Sequence, residues 1–260
     1  MSRTLVVAGN WKMHMGPAEG ARFLDDVVLP VGNTRVEVVL FPPALTLGSL
    51  QSRIADDSSE FRLGAQNVHW EDAGAYTGET SISMVREAGA SHVLIGHSER
   101  RHVFGETDAE VGLKVAAVLQ YGLVPVICVG EQLAERRAGH WRDIILAQVD
   151  AVVEPLLAAG PAARFLFAYE PVWAIGTGET ATPDDASAAH SAIRGRLAEL
   201  MGRDGTAFQV LYGGSVKPAN AHALLSEPEL DGVLVGGASL DPIAFAHIVA
   251  AATRVAAGPE

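Results

Sequence analysis

The sequence of 260 residues contains a single cysteine, Cys128. One cysteine cannot form an internal disulfide or a zinc site that needs several cysteines. Cys128 ends an apolar run, which favours buried packing over a role as nucleophile. No metal-ligand spacing stands out among the nine histidines. We therefore expect neither a disulfide framework nor a metal nor any other cofactor.

Long apolar runs and an excess of positive charge are also missing. The N-terminal apolar run covers only residues 5–8, which is too short for a signal-peptide core or a membrane span. The formal net charge of −12 disfavours broad binding to nucleic acid or anionic membranes, but not the binding of one small anion. We expect a cytoplasmic protein that binds a small molecule, with no nucleic-acid or membrane partner.

Short apolar runs recur along the chain, which is 48% hydrophobic and has no linker-like segment. Continuous rather than alternating runs are typical of strands covered on both faces of a parallel sheet. Helical patterns lie between them, with start signals at Thr107, Thr182 and Asp241. This order predicts one α/β domain over residues 1–260, a closed (β/α)8 barrel. The eight predicted strands are residues 5–8, 36–41, 62–65, 92–96, 124–129, 165–169, 209–212 and 232–235.

Polar side chains follow several of these strands, at the end where such barrels carry their chemistry. Asn10 and Lys12 follow the first strand, His97 the fourth and Glu170 the sixth. We expect Asn10 and Lys12 to face the barrel mouth together because alternate residues of a strand share a face. A fixed ammonium there would attract an anion and stabilise negative charge on oxygen. A plain surface lysine is the alternative.

Glu170 ends an apolar run and directly precedes Pro171. An isolated glutamate is more often a solvated loop residue or a structural ion pair. Here, however, the apolar residues that follow could cover the carboxylate, and desolvation would raise its pKa towards that of a general base. Gly176 and Gly178 supply backbone freedom for a closing segment. We predict that Glu170 is a catalytic base beneath a lid.

His97 precedes Ser98, which could begin a helical turn. The positive end of that turn would keep the imidazole neutral, able to donate to a carbonyl oxygen and to pass protons between neighbouring oxygens. A histidine buried for structural reasons is the alternative. After the seventh and eighth strands come two Gly-Gly pairs, residues 213–214 and 236–237. They are either simple turns or places where backbone N–H groups bind phosphate.

With these residues identified, the chain resembles the triosephosphate isomerase family nearly from end to end. Seven motifs in matching order carry the resemblance: AGNWKM (8–13), GAYTGE (74–79), IGHSERR (95–101), CVGE (128–131), AYEPVWAIGTG (168–178), YGGSV (212–216) and LVGGASL (234–240). The resemblance implies cofactor-free interconversion of dihydroxyacetone phosphate and D-glyceraldehyde 3-phosphate through an enediolate, in glycolysis and gluconeogenesis.

The resemblance also implies the role of each site residue. Lys12, His97 and Glu170 would be catalytic, with His97 as electrophile and Glu170 as base. Substrate would be bound by Asn10, Lys12, Gly176, Ser215, Gly236 and Gly237, the last four through N–H groups to the phosphate. Glu99 would support Lys12, and Ile175 and Leu234 would form an apolar clamp over Glu170.

Two further segments gain a meaning from the resemblance. Residues 171–178 would form the lid, and loop 70–81, with Thr77, would cross into a second subunit of a homodimer. The chain departs from common family residues at His14, Ile82 and Glu179. These departures bear on the interface and on lid kinetics, not on the reacting atoms.

Three rival functions remain open at this point. An isomerase of another short ketose phosphate would share the whole site, and kcat/KM on three- and four-carbon substrates would separate the two. A Schiff-base aldolase using Lys12 would be trapped by borohydride. A non-catalytic phosphate-binding protein would bind a transition-state analogue without turnover.

Overall fold

A closed barrel of parallel strands forms the centre of the molecule. The computed structural model describes residues 4–30, 35–54, 60–175 and 181–258. Within them, eight strands pair in chain order, and pairing of the last with the first closes the sheet. They are β1 (Leu5–Asn10), β2 (Val36–Phe41), β3 (Phe61–Ala65), β4 (Ala90–Ile95), β5 (Val124–Val129), β6 (Leu166–Tyr169), β7 (Gln209–Tyr212) and β8 (Gly232–Val235). The predicted (β/α)8 barrel is confirmed.

Helices surround this barrel, as expected when parallel strands need a crossover between them. Among the described residues they are α1 (Pro17–Asp26), α2 (Ala44–Ile54), α3 (Ile82–Glu87), α4 (Ser98–His102), α5 (Asp108–Gln120), α6 (Leu133–Arg137), α7 (Trp141–Ala158), α8 (Pro183–Met201), α9 (Pro218–Leu225) and α10 (Pro242–Ala257). None of the helices in this part of the chain is both long and apolar enough to cross a bilayer.

The strands bury both faces, which explains their continuous apolar sequences. Alternate residues such as Val6 and Ala8 point into the barrel, whereas Val7 belongs to the larger core between strands and helices. Inside the barrel, the ring of Phe41 fills the space that a side chain at Gly64 would need: a Cβ there would lie 2.2 Å from Phe41 Cε1. Cys128 is buried in this inner core, as predicted.

Local signals place the helix starts close to prediction. Thr107, Thr182 and Asp241 each accept a backbone N–H with the side chain, at the starts of α5, α8 and α10. Ile82 is the first residue of α3, a position that favours proline, and its side chain is buried instead. The strand bounds differ slightly: β1 runs on to Asn10, and β4 ends before Gly96, whose φ of +70° breaks the strand.

A buried histidine lies next to an ion pair at the end of the barrel where the strands begin. His92 of β4 is 2% exposed, and its Nε2 lies 3.4 Å from Glu37 Oε1 of β2. Glu37 also pairs with Arg164. Burial lowers the pKa of His92 to about 4, against the opposing effect of Glu37. The ring is therefore neutral at neutral pH in the folded protein.

This burial predicts a pH dependence of stability. Unfolded His92 regains an ordinary pKa near 6.5, so the unfolded state binds the extra proton and stability is lost as pH falls from 6.5 towards 4. The free energy of unfolding, measured by urea titration, should fall between pH 7.5 and pH 4.5 in both wild type and His92→Gln. We expect the fall to be about 2.5 kcal/mol smaller in His92→Gln. The exposed-site control His222→Gln should follow wild type. Parallel losses in wild type and His92→Gln would refute this role of His92.

Candidate active site

A cavity of about 580 Å³ opens at the carboxyl ends of the strands. Every predicted catalytic or substrate-binding residue that the structure describes lines it, and so do both clamp residues: Asn10, Lys12, His97, Glu170, Ile175, Ser215, Leu234, Gly236 and Gly237. Gly176 lies outside the described residues. Segments far apart in sequence are thus brought to one cavity because the barrel gathers all its strand ends at one rim.

Glu170 is held at the floor of this cavity, directly after β6. It is 2% exposed. The backbone N–H of Ser98 donates to its Oε2 at 2.8 Å, and His97 Nε2 lies 2.9 Å from its Oε1. A Cβ on Gly213 would come within 2.9 Å of Glu170 Cγ, so the glycine at this turn makes room for the carboxylate arm.

The expected rise in the pKa of Glu170 is wrong for this conformation. Burial does raise it, but His97, the Ser98 N–H and Lys12 outweigh burial and leave the pKa below its ordinary value. The sequence argument counted the dry surroundings and missed the donors that accompany them. Glu170 is therefore an ionised carboxylate here, and removing its donors would raise its pKa.

His97 caps the N-terminus of α4, as its position before Ser98 predicted. The N–H of Glu99 donates to His97 Nδ1 at 3.3 Å, which leaves Nε2 as the ring nitrogen that carries the proton towards Glu170. The expected lowering of the pKa of His97 is wrong in this conformation. Burial, the largest single effect, lowers it, but the charge of Glu170, the hydrogen bond to Glu170 and the charge of Glu99 together outweigh burial and leave the pKa raised.

The Lys12 side chain lies in the cavity as predicted, but the predicted strand alternation is not what orients it. β1 ends at Asn10, so strand alternation does not orient Lys12; its backbone has a φ of +51° instead. The Lys12 N–H donates to Asn10 Oδ1 at 3.0 Å, and Gln66 Nε2 donates to the Lys12 carbonyl at 2.8 Å. These bonds hold a backbone conformation that is costly outside glycine. Lys12 Nζ lies 2.6 Å from Glu99 Oε1, a contact that fits the prediction that Glu99 supports Lys12.

The two Gly-Gly turns also line the cavity. Packing requires glycine at 214, because a Cβ there would lie 2.1 Å from Tyr212 Oη. At 237 a Cβ would meet nothing within 4 Å, and at 236 only Lys12 Cε at 3.6 Å. Protein packing therefore does not explain the second pair, whose backbone borders the cavity.

The chain beyond Glu170 begins to cover the cavity with a short 3₁₀ turn, Val172–Ala174. Trp173 Nε1 donates to Glu131 Oε1 at 2.8 Å, and Tyr169 Oη donates to the same oxygen at 3.1 Å. Glu131 is fully buried, and burial raises its pKa. Ile175 is the last described residue of this cover, so the predicted glycines of the lid and Glu179 lie outside the described residues.

Sequence reasoning missed three residues that border or hold the site. Gln66 fixes the Lys12 backbone, Glu131 anchors the base of the cover, and Lys217 lines the cavity. Glu131 lies within the motif CVGE, so a buried carboxylate after β5 was visible in the sequence. Gln66 and Lys217 follow β3 and β7 as ordinary polar residues, and no pattern distinguishes them.

The carboxylate–imidazole contact makes a prediction about titration. In Glu170→Gln we expect the pKa of His97 to fall below its ordinary value, because burial would no longer be offset by the adjacent charge. Nuclear magnetic resonance titration of the histidine ring protons measures this shift. The matched variant Glu99→Gln should lower the same pKa by less, since Glu99 contributes less than Glu170. Equal shifts in both variants would contradict the assigned contact.

Comparison with known proteins shows the family to which the chain belongs. A profile described as triosephosphate isomerase matches residues 5–252. The chain is 48% identical to a triosephosphate isomerase of Moorella thermoacetica over 95% of its own length and 98% of the relative's. It is 47% identical to that of Solibacter usitatus, over 95% and 99%, and 46% identical to that of Symbiobacterium thermophilum, over 98% and 99%. The chain belongs to the triosephosphate isomerase family of enzymes.

Proposed function

We propose that this protein interconverts dihydroxyacetone phosphate and D-glyceraldehyde 3-phosphate by moving a proton through an enediolate, without a cofactor. The observation that carries the proposal is the common cavity of Glu170, His97 and Lys12. Together they supply a base, a hydrogen-bond donor and a fixed cation around one small volume. Within the family, this supports the isomerase role in glycolysis and gluconeogenesis, and with it the cytoplasmic location expected from the sequence.

In the proposed mechanism, Glu170 removes the proton from the carbon next to the carbonyl. To reach that carbon, the carboxylate gives up its bonds to His97 Nε2 and to the Ser98 N–H for contact with substrate. Leaving these donors removes causes of its low pKa while burial persists, so its proton affinity rises as it approaches the carbon. The Glu170 side chain thus has two positions in this proposal. Next to its donors its pKa is low, and next to the substrate carbon its pKa is higher.

His97 and Lys12 stabilise the negative charge that appears on the substrate oxygens. Nε2 of His97 faces the cavity as a donor because Nδ1 is occupied by the Glu99 N–H. It can donate to the carbonyl oxygen and pass a proton between the two neighbouring oxygens. Lys12 supplies a positive charge held in place by Glu99. Glu170 then returns its proton to the adjacent carbon, which completes the isomerisation.

The phosphate is proposed to lie against the turns after β7 and β8. Gly236 and Gly237 have backbone that borders the cavity and no packing need for glycine. Without side chains, their N–H groups can approach an anion closely. Ser215 lines the same wall, and Gly176 remains part of the proposal through the family resemblance.

Residues 171–178 are proposed to act as the lid. An exposed enediolate phosphate would eliminate its phosphate, so the intermediate needs shielding from water. Ile175 and Leu234 line the cavity beside Glu170, which supports their role as its apolar cover. Trp173 and Tyr169, both bonded to Glu131, give this cover a rigid base from which to move.

The homodimer is a further part of the proposal. Loop residues 71–79 are exposed, and the ring of Tyr76 packs against that of His69 at a tilt of 32°, with centroids 4.1 Å apart. Large apolar side chains are exposed in the segments that follow the first four strands: Met13, Leu45, Tyr76, Met84, Val103 and Phe104. An apolar surface of this kind is typical of a protein–protein interface. A second copy covering it, with Thr77 inserted, would bury these side chains.

A coupled assay on the purified protein tests the activity directly, and the same assay with four-carbon ketose phosphates tests the nearest rival. Substrate trapping with borohydride should give no adduct at Lys12. We expect turnover on triose phosphates, with kcat/KM highest for three-carbon substrates. Tight binding of a phosphate-bearing transition-state analogue without turnover would favour the non-catalytic alternative.

Shortening the base should impair the chemical step. Glu170→Asp withdraws the carboxylate by about the length of one C–C bond, and a displacement of about 1 Å can cost 10²-fold. We expect kcat to fall about 10²-fold or more while KM changes only a few-fold. Glu154→Asp, an exposed site on α7, is the matched control and should keep wild-type kinetics. Wild-type kcat in Glu170→Asp would rule out its role as base.

The proposed interface should be sensitive to charge at the loop tip. Thr77→Arg places a long cation where a second subunit is proposed to pack, so we expect a shift towards monomer in sedimentation velocity. Ala162→Arg adds the same side chain to an exposed loop at the opposite end of the barrel and should not change the mass. A Thr77→Arg protein as dimeric as this control would exclude loop 70–81 as the interface.

A further inference from the structure

The lysines of this chain have an unusual distribution. Among 19 basic residues that are lysine or arginine, the lysines are Lys12, Lys114 and Lys217, and all others are arginine. Lys12 lies in the active-site cavity, and Lys114 is buried in an ion pair with Glu106. Lys217 lines the cavity too, beside Ser215 and Val216. Two of the lysines therefore border the space in which substrate is proposed to bind.

The backbone that carries Lys217 is firmly held. Lys217 immediately precedes α9, and its N–H donates to Asn220 Oδ1 at 2.7 Å. Asn220 Nδ2 donates in turn to the carbonyl of Ser215 at 3.0 Å. One amide side chain thus fixes the whole segment from Ser215 to the helix start, and the Lys217 side chain extends from an anchored backbone.

Lys217 forms no ion pair with any other described residue. The other ammonium of the cavity, that of Lys12, is paired with Glu99. Glu170 adds a buried negative charge. The formal charges of Lys12, Glu99, Glu170 and Lys217 sum to zero. Without Lys217 the sum would be negative, on a chain whose total charge is already −12.

We propose that Lys217 is a further substrate-binding residue, whose ammonium attracts and holds the phosphate end of the triose phosphate. This inference rests on the proposed function and adds to it a residue that acts through charge. The nearest backbone phosphate donors proposed above are neutral, so a dianionic ligand gains from a second cation on its own side of the cavity. Because this charge would act on binding of the phosphate and takes no part in the proposed proton transfer, the effect should fall on KM more than on kcat.

The test compares Lys217→Gln and Lys217→Arg with Arg254→Gln. The control removes one positive charge from an exposed site in the last turn of α10, at the opposite end of the barrel. Two quantities are measured at low and high ionic strength: KM for dihydroxyacetone phosphate, and the Kd of inorganic phosphate by calorimetric titration, which needs no turnover. At low ionic strength we expect both to rise about fivefold in Lys217→Gln. The difference should shrink at high salt, because exposed charges are screened.

The outcomes distinguish a failure of the Lys217 inference from a failure of the proposed isomerase function. Lys217→Arg should lie near wild type, since the charge is kept. The inference is overturned if Lys217→Gln matches Arg254→Gln at low salt, or if Lys217→Arg is as impaired as Lys217→Gln, because charge would then not be the cause. An inactive wild-type protein would instead refute the isomerase proposal, while the phosphate titration would still report on Lys217.

Discussion

The contact between Glu170 and its donors is the interaction on which the rest of the site depends. Burying a charged carboxylate to 2% exposure is costly unless it is paired and hydrogen-bonded, and here the Ser98 N–H contacts one oxygen and His97 Nε2 the other. The same donors that make burial tolerable also lower its pKa. A carboxylate bonded in this way is a weak base, and its proton affinity rises only when it moves away from its donors. The proposed chemistry thus requires a side chain with two positions.

The barrel provides what this arrangement needs. His97 and Ser98 come from the end of β4, and Glu170 comes from the end of β6, so the contact joins strands that are not neighbours in the sheet. A closed barrel holds such ends at fixed separation because every strand is bonded on both sides. Gly213, after β7, then leaves the volume that the glutamate side chain occupies. The scaffold fixes distances, and the rim residues supply the charges.

Much of this could be predicted from sequence, and the failures have specific causes. Continuous apolar runs identify strands buried on both faces, and polar residues after them mark the catalytic end of the barrel, so Asn10, His97 and Glu170 could be placed there. The direction of the pKa shifts was wrong because it depends on a contact between Glu170 and His97, which no local pattern encodes. The predicted orientation of Lys12 by strand alternation was wrong because its backbone has a positive φ. That conformation is held by Gln66, which lies 54 residues later in the chain.

The measurement closest to the central claim follows the proton itself. Dihydroxyacetone phosphate incubated with enzyme in deuterated water should take up deuterium at the carbon that becomes the aldehyde, because Glu170 exchanges the proton it has removed with solvent. Glu170→Gln, shown to be folded by its circular dichroism, should leave that carbon unlabelled over the same time. Deuterium uptake at the wild-type rate in Glu170→Gln would contradict the account, because some other group would then be removing the proton.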